Sequence, residues 1–71
     1  MENEIQTKFG AVIRKIRIEQ QISQEELAHR ANLHRTYIGM IERGEKNITL
    51  GNIKKISNAL KISMSELLRD L

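Results

Sequence analysis

The chain has 71 residues, with 12 Lys and Arg against 9 Asp and Glu, a net charge of +3 and no cysteine. That length bounds it to one domain over residues 1–71 and leaves little room for an enclosed substrate pocket, and the missing cysteines exclude disulfides and thiolate metal sites. The basic balance is compatible with a nucleic-acid partner without requiring one.

No proline and only four glycines favour an all-α chain. A domain of this size buries only roughly 60% of its unfolded surface, so it depends on regular helix packing or on a second subunit. Residues 1–7 read as a frayed lead-in. Phe9, Val12, Ile13 and Ile16 recur at helical spacing and predict a first helix over about 8–20. Ser23 caps a second helix that runs to about Ala31, and Glu26, three residues on, completes a capping box. Asn32 stands at a turn that needs a left-handed backbone, which Asn tolerates better than most residues. A third helix starts at Leu33 or His34 and ends at Arg43, with Gly44 suited to a left-handed cap. After a charged loop over 45–48, Thr49 caps a fourth helix with apolar residues Leu50, Ile53, Ile56 and Leu60. Lys61 and Ile62 lead to a second capping box, Ser63 with Glu66, and a fifth helix carrying Met64, Leu67, Leu68 and Leu71.

The span 23–44 has the pattern of a helix-turn-helix. Leu27, Ala28, Ala31, Leu33, Ile38 and Ile41 supply the apolar and small positions that two steeply crossing helices need, while polar residues fall where the second helix would enter a major groove. The words SQEELA and IERG in this span resemble the phage lambda repressor and Cro superfamily, often called the XRE family. The stretch HRTYIGMIERGEKNIT further resembles the small controller proteins of restriction–modification systems. The resemblance covers about residues 8–70. It implies a compact five-helix, lambda-repressor-like domain that binds double-stranded DNA, with helices four and five over about 49–71.

Residue by residue, the resemblance implies that Gln24 bonds a backbone phosphate and that Arg35 leads the base-reading face. The first residues of a recognition helix reach base edges, so Thr36 joins Arg35 there. Arg can bond O6 and N7 of guanine together, which discriminates by about 1–3 kcal/mol. Gly39 and Met40 share that face but depart from the longer polar residues common in the family. Met40 contacts a thymine methyl or merely covers apolar surface. Gly39 marks close approach to DNA or a tolerated defect costing up to about 1 kcal/mol relative to Ala. Tyr37 either reaches a phosphate through its hydroxyl or is a half-buried core residue with a wet tip. His34 is a cap or a phosphate neighbour. In the family, the loop holding Arg43, Lys46 and Asn47 runs along the sugar–phosphate backbone, where cations add sequence-independent affinity by releasing counterions. The resemblance also implies a structural ion pair between Arg17 and Glu42, and an activating contact to RNA polymerase near Glu25.

Regulators of this kind bind as dimers, and Ile62, Met64, Leu68 and Leu71 are the expected homodimer interface, away from the third helix. The expected function is a homodimeric controller of a restriction–modification operon, acting on an inverted-repeat operator. A prophage-type repressor, or an antitoxin-like interaction module with autoregulatory DNA binding, is the alternative. His29 and His34 do not share a helix face, so no zinc site is expected, and no phosphate loop or nucleophile elbow points to an enzyme or a cofactor. Without a membrane-length apolar run or a signal peptide, the simplest location is the cytoplasm.

Overall fold

The computed structural model describes residues 4–71, which form five helices in the order α1 (Glu4–Glu19), α2 (Gln24–Ala31), α3 (Arg35–Glu42), α4 (Leu50–Leu60) and α5 (Met64–Leu67). Among the described residues there is no strand. Helix α3 packs between α1 and α2, α4 packs on α2, and the short α5 closes against α1 and α4. Ile13, Leu27, Ile38, Ile41, Ile56, Leu60 and Leu67 are fully buried where these elements meet. Ala28 and Ala31 keep the α2 face narrow, so α3 crosses it closely.

Helix starts follow the predicted caps. Ser23, Thr49 and Ser63 each accept from the N–H three residues on, at 2.9, 3.1 and 3.1 Å. The two capping boxes are only half made. Glu26 turns forward to Arg30 at 2.8 Å and Glu66 to Arg69 at 3.6 Å, rather than back to the cap, because an i to i+3 or i+4 guanidinium lies within reach. The Arg30 guanidinium holds the Glu26 carboxyl below its ordinary range.

Helix ends show a pattern that is only partly predicted. Asn32 and Gly44 take the expected left-handed backbone, and so do Gln21 and Lys61, at φ 61° and 60°. After each of the three non-glycine residues comes an apolar one, Ile22, Leu33 or Ile62, packed on the core. The N–H of that apolar residue bonds the carbonyl of Arg17, Ala28 or Ser57, five residues back. The hydrophobic contact and the terminal hydrogen bonds together hold a conformation that neither Gln nor Lys favours alone.

Three expectations need correction. Residues 4–7 belong to α1, with Lys8 paired to Glu4 at 3.5 Å; residues 1–3 lie outside the described residues. Leu50 faces solvent at 73% exposure, because the first position of α4 points away from the core. Leu68, the C-terminal cap, and Leu71 lie beyond α5, which ends at Leu67.

Gly10 carries no signal in the sequence, yet it governs how α1 meets α3. A Cβ there would overlap the Ile41 carbonyl oxygen and lie 2.9 Å from the Glu42 carbonyl oxygen, so only glycine lets the helix backbones touch. Gly10 and Arg17 are seven residues apart, hence on one face of α1. The close approach at Gly10 therefore delivers Arg17 to the α3 terminus. Gly10→Ala would gain about 1 kcal/mol in helix propensity, but the clash is with backbone and cannot relax through a rotamer. The expected net outcome is a loss of about 2–3 kcal/mol, seen as a lower urea midpoint.

Candidate nucleic-acid interface

The start of α2 and the exposed side of α3 enclose an open depression of about 510 Å³, lined by Arg17, Ser23, Gln24, Glu25, Arg35, Thr36, Gly39 and Arg43. Its base is an ion-pair network. Arg17 Nε donates to Glu42 Oε2 at 2.6 Å, and Arg17 Nη2 donates to Oε1 at 3.1 Å, a two-pronged match of guanidinium and carboxylate. Arg17 Nη1 donates to the Ile22 carbonyl at 2.9 Å, and Gln24 Nε2 donates to Glu42 Oε1 at 3.0 Å. The side chains of Arg17 and Glu42 are 12% and 2% exposed. No buried side-chain nitrogen or oxygen among the described residues lacks a partner.

The network fixes Gln24. One Nε2 hydrogen goes to Glu42, and an amide nitrogen carries two, so the second is left for an outside acceptor. The α2 N-terminus adds the partial positive charge of its free N–H groups. Gly39 lies buried in the floor of the depression. A Cβ there would sit 3.2 Å from Arg43 Nη1, a tight approach, and 3.7 Å from Gln24 Oε1, an ordinary contact, so the missing side chain gives room to the Arg43 guanidinium.

Arg35 and Thr36 are exposed at the start of α3. His34 caps this helix, with Nδ1 accepting from the Thr36 N–H at 3.1 Å. Tyr37 is half-buried against the core, and its hydroxyl accepts from Asn52 Nδ2 at 2.9 Å. Met40 is half-buried on the same helix. Arg43, exposed, donates from Nε to Glu45 Oε2 at 3.0 Å, which holds the guanidinium in its charged form.

Gly44, at φ +76°, ends α3 in a Schellman turn, in which its own N–H and that of Glu45 bond the carbonyls of Ile41 and Met40. Lys46 and Asn47 follow, both exposed. They do not line the depression. They lie on the rim of a second, apolar groove formed by Ile5, Phe9, Ile48, Ile53, Leu68 and Leu71. Leu68 and Leu71 thus share a surface; Leu68, like Ile62 and Met64, is half-buried against the core of the same chain, while Leu71 is exposed. Ile5, 58% exposed, adds to this groove; its helical register is the signal, obscured when 1–7 is read as a lead-in.

Among the described residues no group of His, Asp and Glu is placed to hold a metal ion, and no helix is long and apolar enough to cross a membrane.

A family model described as helix-turn-helix matches residues 13–67. The chain is 49% identical over 69 residues to the control protein C.BamHI of Bacillus amyloliquefaciens, covering 96% of this chain and 85% of that one. It is 43% identical over 70 residues to the control protein C.MunI of a Mycoplasma species, covering 97% and 95%. The crystal structure of the restriction-modification controller protein C.AhdI from Aeromonas hydrophila superposes with a TM-score of 0.86 at 44% identity, over 87% of this chain and 94% of that one.

Removing one partner of the buried ion pair leaves an uncompensated charge. Glu42→Ala is expected to cost about 3–5 kcal/mol. The double change Arg17→Met with Glu42→Leu is expected to recover most of that loss, because the desolvation cost of both charges disappears with them. Urea unfolding of the three variants beside the unmodified chain measures both effects.

Proposed function

This chain belongs to the helix-turn-helix family, among the restriction–modification control proteins, and we propose from that membership that it is a homodimer controlling a restriction–modification operon through an inverted-repeat operator. The observation that carries this reading is the paired arrangement at the depression. Gln24 is anchored on Glu42 with a donor to spare, and Arg35 and Thr36 stand exposed beside it at the start of α3.

In this reading α3 enters the major groove. Arg35 bonds a guanine edge, Thr36 meets a neighbouring base, and Met40 lies further along the same face. Gln24, the α2 N-terminus and Arg43 take the phosphates of one strand. Tyr37 donates its hydroxyl hydrogen to a further phosphate, and Lys46 and Asn47 follow the backbone beyond it. His34 and Gly39 act indirectly, His34 by capping α3 and Gly39 by leaving room for the Arg43 guanidinium. A second copy covers the groove at Leu68 and Leu71, with Ile5 as an added contact. Glu25, exposed at the start of α2 on the edge of the same depression, is the residue proposed to meet RNA polymerase. The protein works where its operon lies, in the cytoplasm.

Selection of duplexes from a randomised pool by the purified chain tests the reading. An enriched inverted repeat with half-site centres about 34 Å apart is expected. No enrichment, with only salt-sensitive binding, would overturn the reading of a sequence-specific regulator. On the selected duplex, Arg35→Ala should cost about 1–3 kcal/mol and relax one position per half-site. Lys46→Ala should weaken all sequences alike and lower the salt slope by about one.

A further inference from the structure

Tyr37 and Asn52 are joined by a side-chain bond between α3 and α4, with Asn52 Nδ2 donating to Tyr37 Oη at 2.9 Å. Both ends are held. The Tyr37 ring packs against the core, and Asn52 sits in the first turn of α4, its own N–H capped by Thr49 Oγ1 at 3.1 Å. The direction of the bond decides what the phenol can do. A hydroxyl has one hydrogen to give. Because Asn52 gives rather than takes, that hydrogen is not spent inside the protein, and Tyr37 Oη has no other side-chain partner among the described residues. Accepting a hydrogen bond also polarises the O–H and strengthens it as a donor.

We infer that Asn52 is a positioning residue for DNA binding: it holds the Tyr37 phenol with its O–H committed outward, as a ready donor to a phosphate oxygen. The inference rests on the reading of Tyr37 as a phosphate contact. It places a determinant of affinity on α4, outside the helix-turn-helix and with no DNA contact of its own. The gain lies in preorganisation: the phenol rotor is set before DNA arrives, so less freedom is lost on binding.

A double-mutant cycle on the selected duplex tests it, using Tyr37→Phe, Asn52→Ala, Asn52→Asp and both double variants. Tyr37→Phe should weaken binding about tenfold, the loss of one hydrogen bond to a charged acceptor. Asn52→Ala should cost about threefold to fivefold with Tyr37 present and nothing in the Tyr37→Phe background. Asn52→Asp should cost more than Tyr37→Phe, since a carboxylate only accepts, takes the phenol hydrogen inward and adds a negative charge. Its added negative charge weakens binding in the Tyr37→Phe background too, so the cycle subtracts it.

The Thr49 cap is made by the backbone N–H of residue 52, so it survives both changes. Asp in a first turn favours the helix dipole, which keeps Asn52→Asp folded where Asn52→Ala loosens α4. Equal losses from Asn52→Ala in both backgrounds, or no coupling between Asn52→Asp and Tyr37→Phe, would overturn the inference while leaving Tyr37 a contact. Unchanged binding by Tyr37→Phe would remove the reading of Tyr37 and the inference with it.

Discussion

Glu42 is the acceptor on which the rest of this small domain depends. It lies at the end of α3, sealed from water, and takes hydrogen bonds from Arg17 of α1 and Gln24 of α2. A buried ion pair seldom stabilises more than well-packed apolar side chains would, since desolvating both charges costs about what their attraction returns. Its distinctive property here is directional. An apolar contact tolerates a slipped helix, whereas a bidentate guanidinium–carboxylate match does not. The pair therefore specifies how α1 sits on α3, and Gly10 admits the close approach that the match requires. Gln24 completes the arrangement, so the residue proposed to meet a phosphate is held by the same carboxylate that registers the helices.

The helix ends act toward the same result. With no proline, the chain reverses by four left-handed residues, Gln21, Asn32, Gly44 and Lys61. Three are followed by an apolar residue that packs on the core, so each turn is fixed by burial as well as by hydrogen bonds. Gly44 is the exception, and there the reason is space. A Cβ would lie 2.7 Å from Thr7 Oγ1 and 2.8 Å from Thr7 Cα, so α1 covers the turn directly. This turn carries the chain from α3 into the loop of Lys46 and Asn47, and its geometry sets where those residues stand relative to the depression.

Much of this is legible in the residues alone. Apolar spacing marks all five helices, and three caps are readable because Ser and Thr side chains capture the same N–H in almost any context. Arg17 and Glu42 are readable through family resemblance alone, as no periodicity links residues that far apart. Gln21 and Lys61 are hidden, because their left-handed backbone is imposed by the apolar residue that follows and not by their own propensity. Gly10 is hidden because a glycine inside a helix looks the same whether it is a defect or a contact. Asn52 is hidden because its bond to Tyr37 crosses from one helix to another. Leu50 misleads because an apolar residue at a first helical position satisfies the spacing without facing the core. At the candidate site, the depression gathers the residues read at the starts of α2 and α3. Lys46 and Asn47, adjacent in sequence, fall on another groove because the Schellman turn redirects the chain.

One claim joins these parts: the face that gathers Gln24, Arg35 and Thr36 over the buried Glu42 is the face proposed to meet DNA. Chemical-shift mapping of the isotopically labelled chain on adding the selected duplex tests it most directly. The expected result is shifts concentrated at Arg35, Thr36, Tyr37 and Arg43 and at the Gln24 side-chain amide, with the Arg17 Nε resonance unmoved because its bond to Glu42 persists. An unmoved Gln24 amide, with the shifts gathered instead around Leu68, Leu71 and Ile5, would contradict it.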